Sequence, residues 1–160
     1  VGTDSPRRAK LIEYYFPHLT VRSIRGNIGT RLNKWRSGEY QAIMMAKCAL
    51  SRMQIMVEHV VLPIEQFVPA MNQGIILTTI RKDHPDFSIY SSRQHDLTRQ
   101  QLLQERQVGR ALNLSCSQPV GVYTDEGGKT HVYFGDQQRW FVHDPSIDMP
   151  VIDWVKEVIK

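Results

Sequence analysis

The chain has 160 residues, of which 41% are hydrophobic and 22% are charged, a composition typical of one globular domain or two small ones. No apolar run approaches the roughly 20 residues of a membrane-spanning helix, and two cysteines are too few for a disulfide-stapled secreted fold. Ten basic but only three acidic side chains lie between Val1 and Arg52, and seven of the ten are arginines. Because guanidinium groups pair well with planar carboxylates and phosphates, an anionic partner is expected.

The first section of the chain alternates predicted helices and strands. Ser5 is a suitable N-cap and is followed by proline, so a helix is predicted over residues 6–15. Leu19–Ile24 alternates enough in polarity to be a short strand. After a glycine-containing loop, Thr30 is the predicted N-cap of a second helix, which ends at Gly38.

A short apolar run at Ala42–Ala46 is typical of a buried strand, and Ala49–Met53 is predicted to follow it as a helix. The residues before the first helix also look extended. Strand, helix, strand, helix and strand at this spacing predict βαβ units and a parallel sheet.

A second section begins near Pro69. Gly74–Ile80 is a predicted strand, and His95–Leu112 is a predicted helix with regularly spaced apolar residues. Three antiparallel strands are predicted next, at Pro119–Tyr123, Thr130–Phe134 and Trp140–His143. A Gly-Gly hairpin turn joins the first two. An amphipathic helix over Ile152–Ile159 completes this section, which therefore predicts a small α+β domain.

Arginines cluster at the ends of the predicted elements in the first section. Arg7 and Arg8 lie in the first turn of the first helix. Arg25 and Arg31 flank the glycine-containing loop, and Arg52 follows the predicted buried strand. In a parallel sheet the loops after the strands meet at one edge, where ligands bind, so these arginines are expected to form a site. A solvated basic face is the alternative, although arginine at a helix N-terminus opposes the helix dipole and is not selected for stability.

Two cysteines and six histidines are the other candidates for chemistry. Cys116 lies in a loop between a predicted helix and a predicted strand. Its residue type leaves two interpretations open, an exposed reactive thiol or a small buried hydrophobe. Cys48 sits within an apolar run and is predicted to fill the core. The histidines show no spacing typical of metal ligands, so no metal site is predicted.

Several segments match the ordered motifs of one protein family. Val1–Arg8 reads VGTDSPRR where the family has VGTSSLRR, and Arg22–Leu32 reads RSIRGNIGTRL, similar to its RSxRGNxxTRL. Gln73-Gly74 ends a stretch similar to its PAxGQG, and Glu105-Arg106 precedes Cys116 as in its AER…GGC arrangement. By these motifs the chain resembles hydroxymethylbilane synthase, also called porphobilinogen deaminase.

The resemblance implies an α/β fold with periplasmic-binding-protein-like domains, here partial, and a small C-terminal α+β domain. Residues 1–69 would belong to the second, central α/β domain, which the chain enters part-way. Residues 70–94 would return to the first domain and link onward, and residues 95–160 would form the α+β domain that carries the cofactor. The family's catalytic aspartate would lie upstream of Val1, so the resemblance implies that these 160 residues alone are inactive.

The family joins four porphobilinogen molecules head to tail, releasing ammonia at each step, and hydrolysis then frees linear hydroxymethylbilane. A dipyrromethane cofactor held through a cysteine thioether starts the chain, and Cys116 is the matching cysteine. The resemblance also implies residues that bind this cofactor, namely Thr3, Ser5, Arg7, Arg8, Arg25 and Asn27. The residues that it implies for substrate binding are Arg25, Arg31 and Arg52.

The implied partners are porphobilinogen and the growing pyrrole chain, without nucleic acid or membrane, for a cytoplasmic and monomeric enzyme. The sequence departs from the family pattern at three places. Asp4 replaces a family serine and adds negative charge to an anion-binding turn, and Asn72 replaces a family glycine. Leu114-Ser115 replaces Gly-Gly, which predicts a cysteine loop that turns less tightly.

Two functions from other classes stay open on the residues alone. One is a carboxylate-binding module of the periplasmic-binding-protein type without catalysis, for which Cys116 would be dispensable. The other is nucleic-acid binding through the basic first section, which suits the sequence pI of about 9.2 and would make affinity fall steeply with salt.

Overall fold

The computed structural model describes residues 1–115 and 117–159, and Cys116 and Lys160 lie outside the described residues. The helices of the first section are α1 (Pro6–Tyr15), α2 (Ile28–Arg36) and α3 (Lys47–Arg52). The later helices are α4 (Phe87–Ser92), α5 (Asp96–Ala111) and α6 (Val151–Val158). The strands are β1 (Val120–Thr124), β2 (Thr130–Phe134) and β3 (Arg139–His143). Within the described part of the chain the fold is mixed α/β, with a small sheet in the order β1-β2-β3.

Three extended segments of the first section run parallel but form isolated bridges rather than a sheet. Gly2 lies between Arg22 and Ile43 and makes a parallel bridge with each. The parallel direction predicted from the sequence is confirmed. The predicted strands Leu19–Ile24 and Ala42–Ala46 are wrong in extent, because each is a single bridge from which the chain soon turns into the start of a helix.

The first two helices begin with side-chain caps. Ser5 Oγ accepts a hydrogen bond from Arg8 N at 3.4 Å, which confirms the predicted start of α1. α2 begins earlier than predicted, because Asn27 rather than Thr30 is its N-cap. Asn27 Oδ1 accepts from Thr30 N at 2.9 Å and so satisfies one of the free N–H groups of the first turn. α2 also ends before Gly38, whose φ of +80° turns the chain away.

The middle of the chain is mostly irregular. The predicted strand Gly74–Ile80 is wrong, and its residues Ile76 and Leu77 are 69% and 51% exposed. A strand needs a neighbour for its N–H and C=O groups, and no segment among residues 1–115 and 117–159 pairs with this one. α4 follows and has no counterpart among the predicted elements.

The C-terminal section confirms the predicted α+β arrangement. α5 begins after His95, whose Nδ1 accepts from Thr98 N at 3.3 Å. β2 pairs antiparallel with β1 and with β3, and Gly128, at a φ of +83°, turns the chain between the first two strands. α5 and α6 pack on one face of the sheet. The buried residues that they share with it are Val108, Val122, Val132, Val151 and Val155.

Residues 66–74, here called the crossing segment, connect the first section to the C-terminal sheet. Trp140 Nε1 donates to Gln66 O at 3.0 Å, and Val122 N donates to Pro69 O at 2.9 Å. A second buried cluster covers the other face of the sheet and joins α1, the crossing segment and β2. Its members are Leu11, Phe67, Val68 and Tyr133.

Glu105 ties α5 to the crossing segment and to β1. Its side chain is buried, Oε1 accepts from Thr124 N at 2.9 Å, and Oε2 accepts from Asn72 N at 2.5 Å. Asn72 has a φ of +59°, a conformation that glycine and asparagine adopt more readily than other residues. Asparagine is therefore a suitable substitute for the glycine of the family motif. Burial raises the pKa of Glu105, and the two backbone N–H groups oppose that shift.

We expect the free energy of unfolding to depend on pH through Glu105. Burial raises its pKa above the ordinary value of 4.5, so the folded state holds the proton more tightly than the unfolded state. Stability should therefore decrease as the pH rises from the unfolded pKa through the folded one, and then level off. Glu105→Gln should remove this slope. It should also cost about 1–3 kcal/mol at neutral pH, because a carboxamide has one acceptor for two buried N–H groups.

Urea unfolding at a series of pH values measures both effects. Glu126→Gln is the matched control, because Glu126 is exposed in the turn between β1 and β2. Equal pH slopes for the Glu105→Gln and Glu126→Gln proteins would contradict the assignment to Glu105.

Candidate anion-binding site

Three loops of the first section lie on one side of the parallel segments. Gly2, Arg22 and Ile43 run in the same direction, so the residues that follow them leave at the same edge. These residues, 3–5, 23–27 and 44–46, are here called the loop edge. They lead into α1, α2 and α3, so three helix starts, each with partial positive charge, lie beside it.

Arg8 joins the loop edge to the end of the crossing segment, and Arg52 joins α3 to the same end. Arg8 Nη1 donates to Met44 O at 3.1 Å, and its Nη2 donates to Gln73 Oε1 at 3.3 Å. Arg52 donates to Gly74 O. Burial and then the charge of Arg31 lower the pKa of Arg8. The acceptors of Arg8 and Arg52 are uncharged, and neither arginine forms an ion pair with a carboxylate within residues 1–115 and 117–159.

Arg25 lies within the second loop, and Arg31 lies in α2, which follows that loop. Arg31 Nε donates to Gly26 O at 2.7 Å and so holds the loop against the start of α2. Arg25 Nε lies 3.6 Å from Asp4 Oδ2, and the Arg25 side chain is 90% exposed. The Ser23 hydroxyl donates to Asp4 Oδ1. Asp4 thus connects the first loop to the second.

Three polar side chains predicted at the site accept hydrogen bonds from backbone N–H groups. Thr3 Oγ1 accepts from Ser5 N at 3.2 Å. Ser5 and Asn27 cap α1 and α2. They determine the shape of the first two loops and thereby the directions in which the neighbouring arginines leave the backbone.

Arg7 differs from the other arginines because it faces the interior. It is 4% exposed, and Nη1 donates to Val68 O at 2.5 Å. Burial lowers its pKa, and burial also raises the pKa of neighbouring Tyr133 to about 12, a shift that the charge of Arg7 opposes. Arg7 precedes Leu11 by four residues, so helical spacing places both on the same face of α1. That spacing is a signal in the sequence that separates Arg7 from Arg8.

Gln73, Gly74 and Cys48 complete the surroundings of the loop edge. Cys48, predicted to fill the core, is half-buried in the first turn of α3, and a Cβ on Gly74 would lie 3.9 Å from its Sγ. The Arg8–Gln73 contact joins residues 65 positions apart, so no local pattern in the sequence predicts it. Such contacts follow from the path of the crossing segment.

The chain before Cys116 ends α5 in a Schellman motif. Leu114 N donates to Gly109 O at 2.9 Å, and Asn113 N donates to Arg110 O at 3.2 Å. Asn113 is the left-handed residue, with a φ of +48°, whereas Leu114 and Ser115 have no positive φ. The turn itself therefore needs no glycine at positions 114 and 115. The predicted change concerns the cysteine loop itself, and it stays a prediction because Cys116 lies outside the described residues.

The loop edge has the donors that carboxylates need. Arg25 lies within the loop edge, and Arg8 and Arg31 donate to its carbonyl oxygens at Met44 and Gly26. Arg52 lies at the end of α3 and donates to Gly74 O. Asp4 is the one acidic residue within the three loops. No group of three or more His, Cys, Asp or Glu side chains able to hold a metal ion occurs in the described part of the chain. Among the same residues, no helix is long and apolar enough to cross a membrane.

Comparison with known proteins identifies a matching family. Residues 1–88, more than half of the chain, match the family described as porphobilinogen deaminase, dipyromethane cofactor binding domain. A protein of Picrophilus torridus named probable porphobilinogen deaminase is 41% identical over 123 residues, which cover 77% of this chain and 44% of the relative. The proteins of the same name in Methanocella arvoryzae and Saccharolobus islandicus are 38% and 35% identical over 80% and 81% of this chain. The chain spans less than half the length of these relatives.

We expect Arg7 to matter for stability and Arg25 not to. Arg7→Ala removes a buried side chain and leaves Val68 O without its donor, so the free energy of unfolding should fall by about 1–3 kcal/mol. Arg25→Ala is the matched control, since it removes the same side chain at an exposed position and should stay within about 0.5 kcal/mol of the parent. Urea unfolding of both proteins measures the difference. Equal stability would show that the interior does not depend on Arg7.

Proposed function

The chain belongs to the porphobilinogen deaminase family, a family of transferases, and on this basis we propose that it is part of a hydroxymethylbilane synthase. The proposed reaction joins four porphobilinogen units head to tail on a dipyrromethane cofactor, releases one ammonia per unit, and frees linear hydroxymethylbilane by hydrolysis. Because these residues span less than half of the relatives, the activity is proposed for a protein of the relatives' length. The catalytic aspartate is proposed to lie upstream of Val1 in such a protein, and this chain alone is proposed to be inactive.

The observation that carries the proposal is the set of guanidinium groups at the loop edge. Arg8, Arg31 and Arg52 donate to carbonyl and carboxamide oxygens, so the charge of each is unneutralised by its partner. Pyrrole units with acetate and propionate side chains present planar carboxylates, which guanidinium groups bind through two parallel hydrogen bonds. Neighbouring helix starts favour the same anions. The residues present therefore fit a polycarboxylate pyrrole chain.

The residue roles are proposed from the resemblance to the family, and these positions support them. We assign carboxylates of the substrate to Arg25, Arg31 and Arg52, and carboxylates of the cofactor to Arg8 and Arg25. Thr3, Ser5 and Asn27 hold the first two loops in the shape that presents these arginines. Arg7, also implied for the cofactor by the resemblance, is proposed to support α1 from the interior. When bound, dipyrromethane supplies the pyrrole carbon to which the first new unit is joined.

Cys116 is proposed to hold the cofactor through a thioether. The Schellman motif at the end of α5 directs the chain out of the helix, and Ser115 N donates to Gln118 Oε1 at 2.6 Å across the cysteine position. The hydroxyls of Ser115 and Ser117 lie 2.8 Å apart. The two neighbours of the cysteine are thus held together. A thiolate at this position is a competent nucleophile toward an electrophilic pyrrole methylene group.

The domain organisation is also a proposal. Residues 1–69 are assigned to a central domain of periplasmic-binding-protein type, residues 70–94 to a return into the first domain with its linker, and residues 95–160 to the cofactor-carrying domain. Exposed Ile76 and Leu77 support the middle assignment, because apolar side chains in an extended segment suit burial against another part of a longer protein. A monomeric state and a cytoplasmic location stay predictions.

A carboxylate-binding module without catalysis is the second candidate. It is favoured by the arginines themselves, which lie at the loop edge independently of the cysteine loop. The two functions differ in whether Cys116 is needed. Reversible binding of porphobilinogen, unchanged by loss of the thiol, would favour the module.

The intact mass of the protein under denaturing conditions tests the cofactor assignment. After expression in cells that make porphobilinogen, the chain extended to the length of its relatives should carry the mass of one dipyrromethane. Cys116→Ser should lose this mass, because the thioether sulfur is gone. Cys48→Ser is the matched control and should retain it. Attachment that survives Cys116→Ser, or that is lost only with Cys48→Ser, would refute the assignment.

A further inference from the structure

We propose that the Asp4 carboxylate competes with ligand carboxylates for Arg25 and so lowers the affinity of the loop edge for such ligands. The inference rests on the proposed function, because it assigns a specificity-determining residue to the same site. Asp4 would act by occupying, with its own carboxylate, the face of Arg25 on which a ligand carboxylate would otherwise bind.

The contacts of Asp4 define this role. Its Oδ1 accepts from the Ser23 hydroxyl, and its Oδ2 lies 3.6 Å from Arg25 Nε. The Asp4 side chain is 31% exposed, whereas that of Arg25 is 90% exposed. The aspartate is therefore the more firmly held partner, and its carboxylate stays beside the guanidinium group.

Arg25 is distinguished from the other three arginines by this partner. Arg8, Arg31 and Arg52 bind uncharged oxygens, and none of them has a carboxylate within 4.0 Å among the described residues. A ligand carboxylate that approaches these three meets a free charge. At Arg25 it must displace Asp4 or share the guanidinium group with it, and it also meets the repulsion of a second negative charge.

A structural role for Asp4 is the alternative. Asp4 lies just before the N-cap Ser5, where negative charge stabilises the start of α1, and its bonds hold two loops together. On that alternative, removal of the charge would loosen the loops and leave the affinity for carboxylates unchanged or lower. On our proposal the affinity rises. The two roles therefore differ in the sign of the effect.

The expected size of the effect is modest because the ion pair is exposed. Exposed pairs are weak in water, so removal of the competitor should raise the affinity for a carboxylate ligand by about two- to fivefold. Only removal of the Asp4 charge should give this gain in affinity. Loss of an acidic side chain elsewhere in the basic first section should have a smaller effect, because salt screens charges over about 8–10 Å.

Calorimetric titration of the chain with tricarballylate, a tricarboxylate without the reactive aminomethyl group of porphobilinogen, tests the proposal. Asp4→Asn keeps the size of the side chain and an acceptor for Ser23 but removes the charge, and it should bind the probe about two- to fivefold more tightly than the parent. Glu39→Gln is the matched control, because Glu39 is an exposed acid in the same section. An affinity that is unchanged or reduced in Asp4→Asn, or equally raised in Glu39→Gln, would overturn the proposal.

The Arg31→Gln variant distinguishes failure of this inference from failure of the proposed site. If Arg31→Gln abolishes binding of tricarballylate but Asp4→Asn does not strengthen it, the site stands and the role of Asp4 fails. If the parent does not bind the probe, or binds it equally well after Arg31→Gln, the proposed site fails and the role of Asp4 fails with it.

Phenylglyoxal modification, located by peptide mass spectrometry, gives a readout without ligand. Asp4→Asn should speed modification of Arg25 relative to exposed Arg36, and an unchanged ratio would show that the ion pair does not form.

Discussion

The hydrogen bonds of the crossing segment hold the two sections of the molecule together, and the positions of the loop edge and the C-terminal sheet both depend on them. Each part of the fold that borders the segment contributes a donor or an acceptor. The residues that form these hydrogen bonds with the crossing segment are Arg7, Arg8, Arg52, Glu105, Val122 and Trp140. A segment without helix or strand would otherwise leave its N–H and C=O groups unpaired beside two buried clusters, at a cost of about 1–3 kcal/mol for each buried group. Its irregular backbone is stable because the surrounding elements supply these partners.

The charges of the first section are arranged in a way that folding stability does not explain. Arg8 lies in the first turn of α1, where a positive charge opposes the helix dipole, and Arg31 lies near enough to lower its pKa further. Both positions are unfavourable in the absence of an anion, and both become favourable when one binds. Arg7, only one residue away, has the opposite character, because its cation is buried against Val68 O and tightens the packing of α1. Two adjacent arginines thus differ in their surroundings, because Arg7 packs in the interior and Arg8 lies beside the loop edge with uncharged acceptors.

The sequence predicts the parts of this fold that depend on local patterns. Ser5 and Pro6 specify the start of α1, and alternating apolar residues specify the three antiparallel strands, because caps and side-chain periods act within a few residues. Gly74–Ile80 is predicted as a strand for the same reason, since its side chains favour one, but pairing is a long-range property and no described segment supplies a partner. The gathering of the arginine loops follows from parallel order alone. The contacts of Arg8 with Gln73 and of Arg52 with Gly74 do not, because they depend on where a distant irregular segment passes.

Two asparagines show how the backbone accommodates departures from the family pattern. Asn72 and Asn113 both have positive φ, the conformation for which glycine is the usual residue, and asparagine is the next most tolerant side chain. Asn72 presents its N–H to Glu105, and Asn113 ends α5 just before the cysteine loop. The left-handed geometry at the end of α5 is therefore present although Leu114-Ser115 stands where the family has two glycines. The substitution does add an apolar side chain. Leu114 packs against the buried valine cluster, and this contact restrains the residues that leave α5. The path of the chain just after α5 is therefore set by the end of the helix and by this packing, and it does not depend on the flexibility that glycine would give.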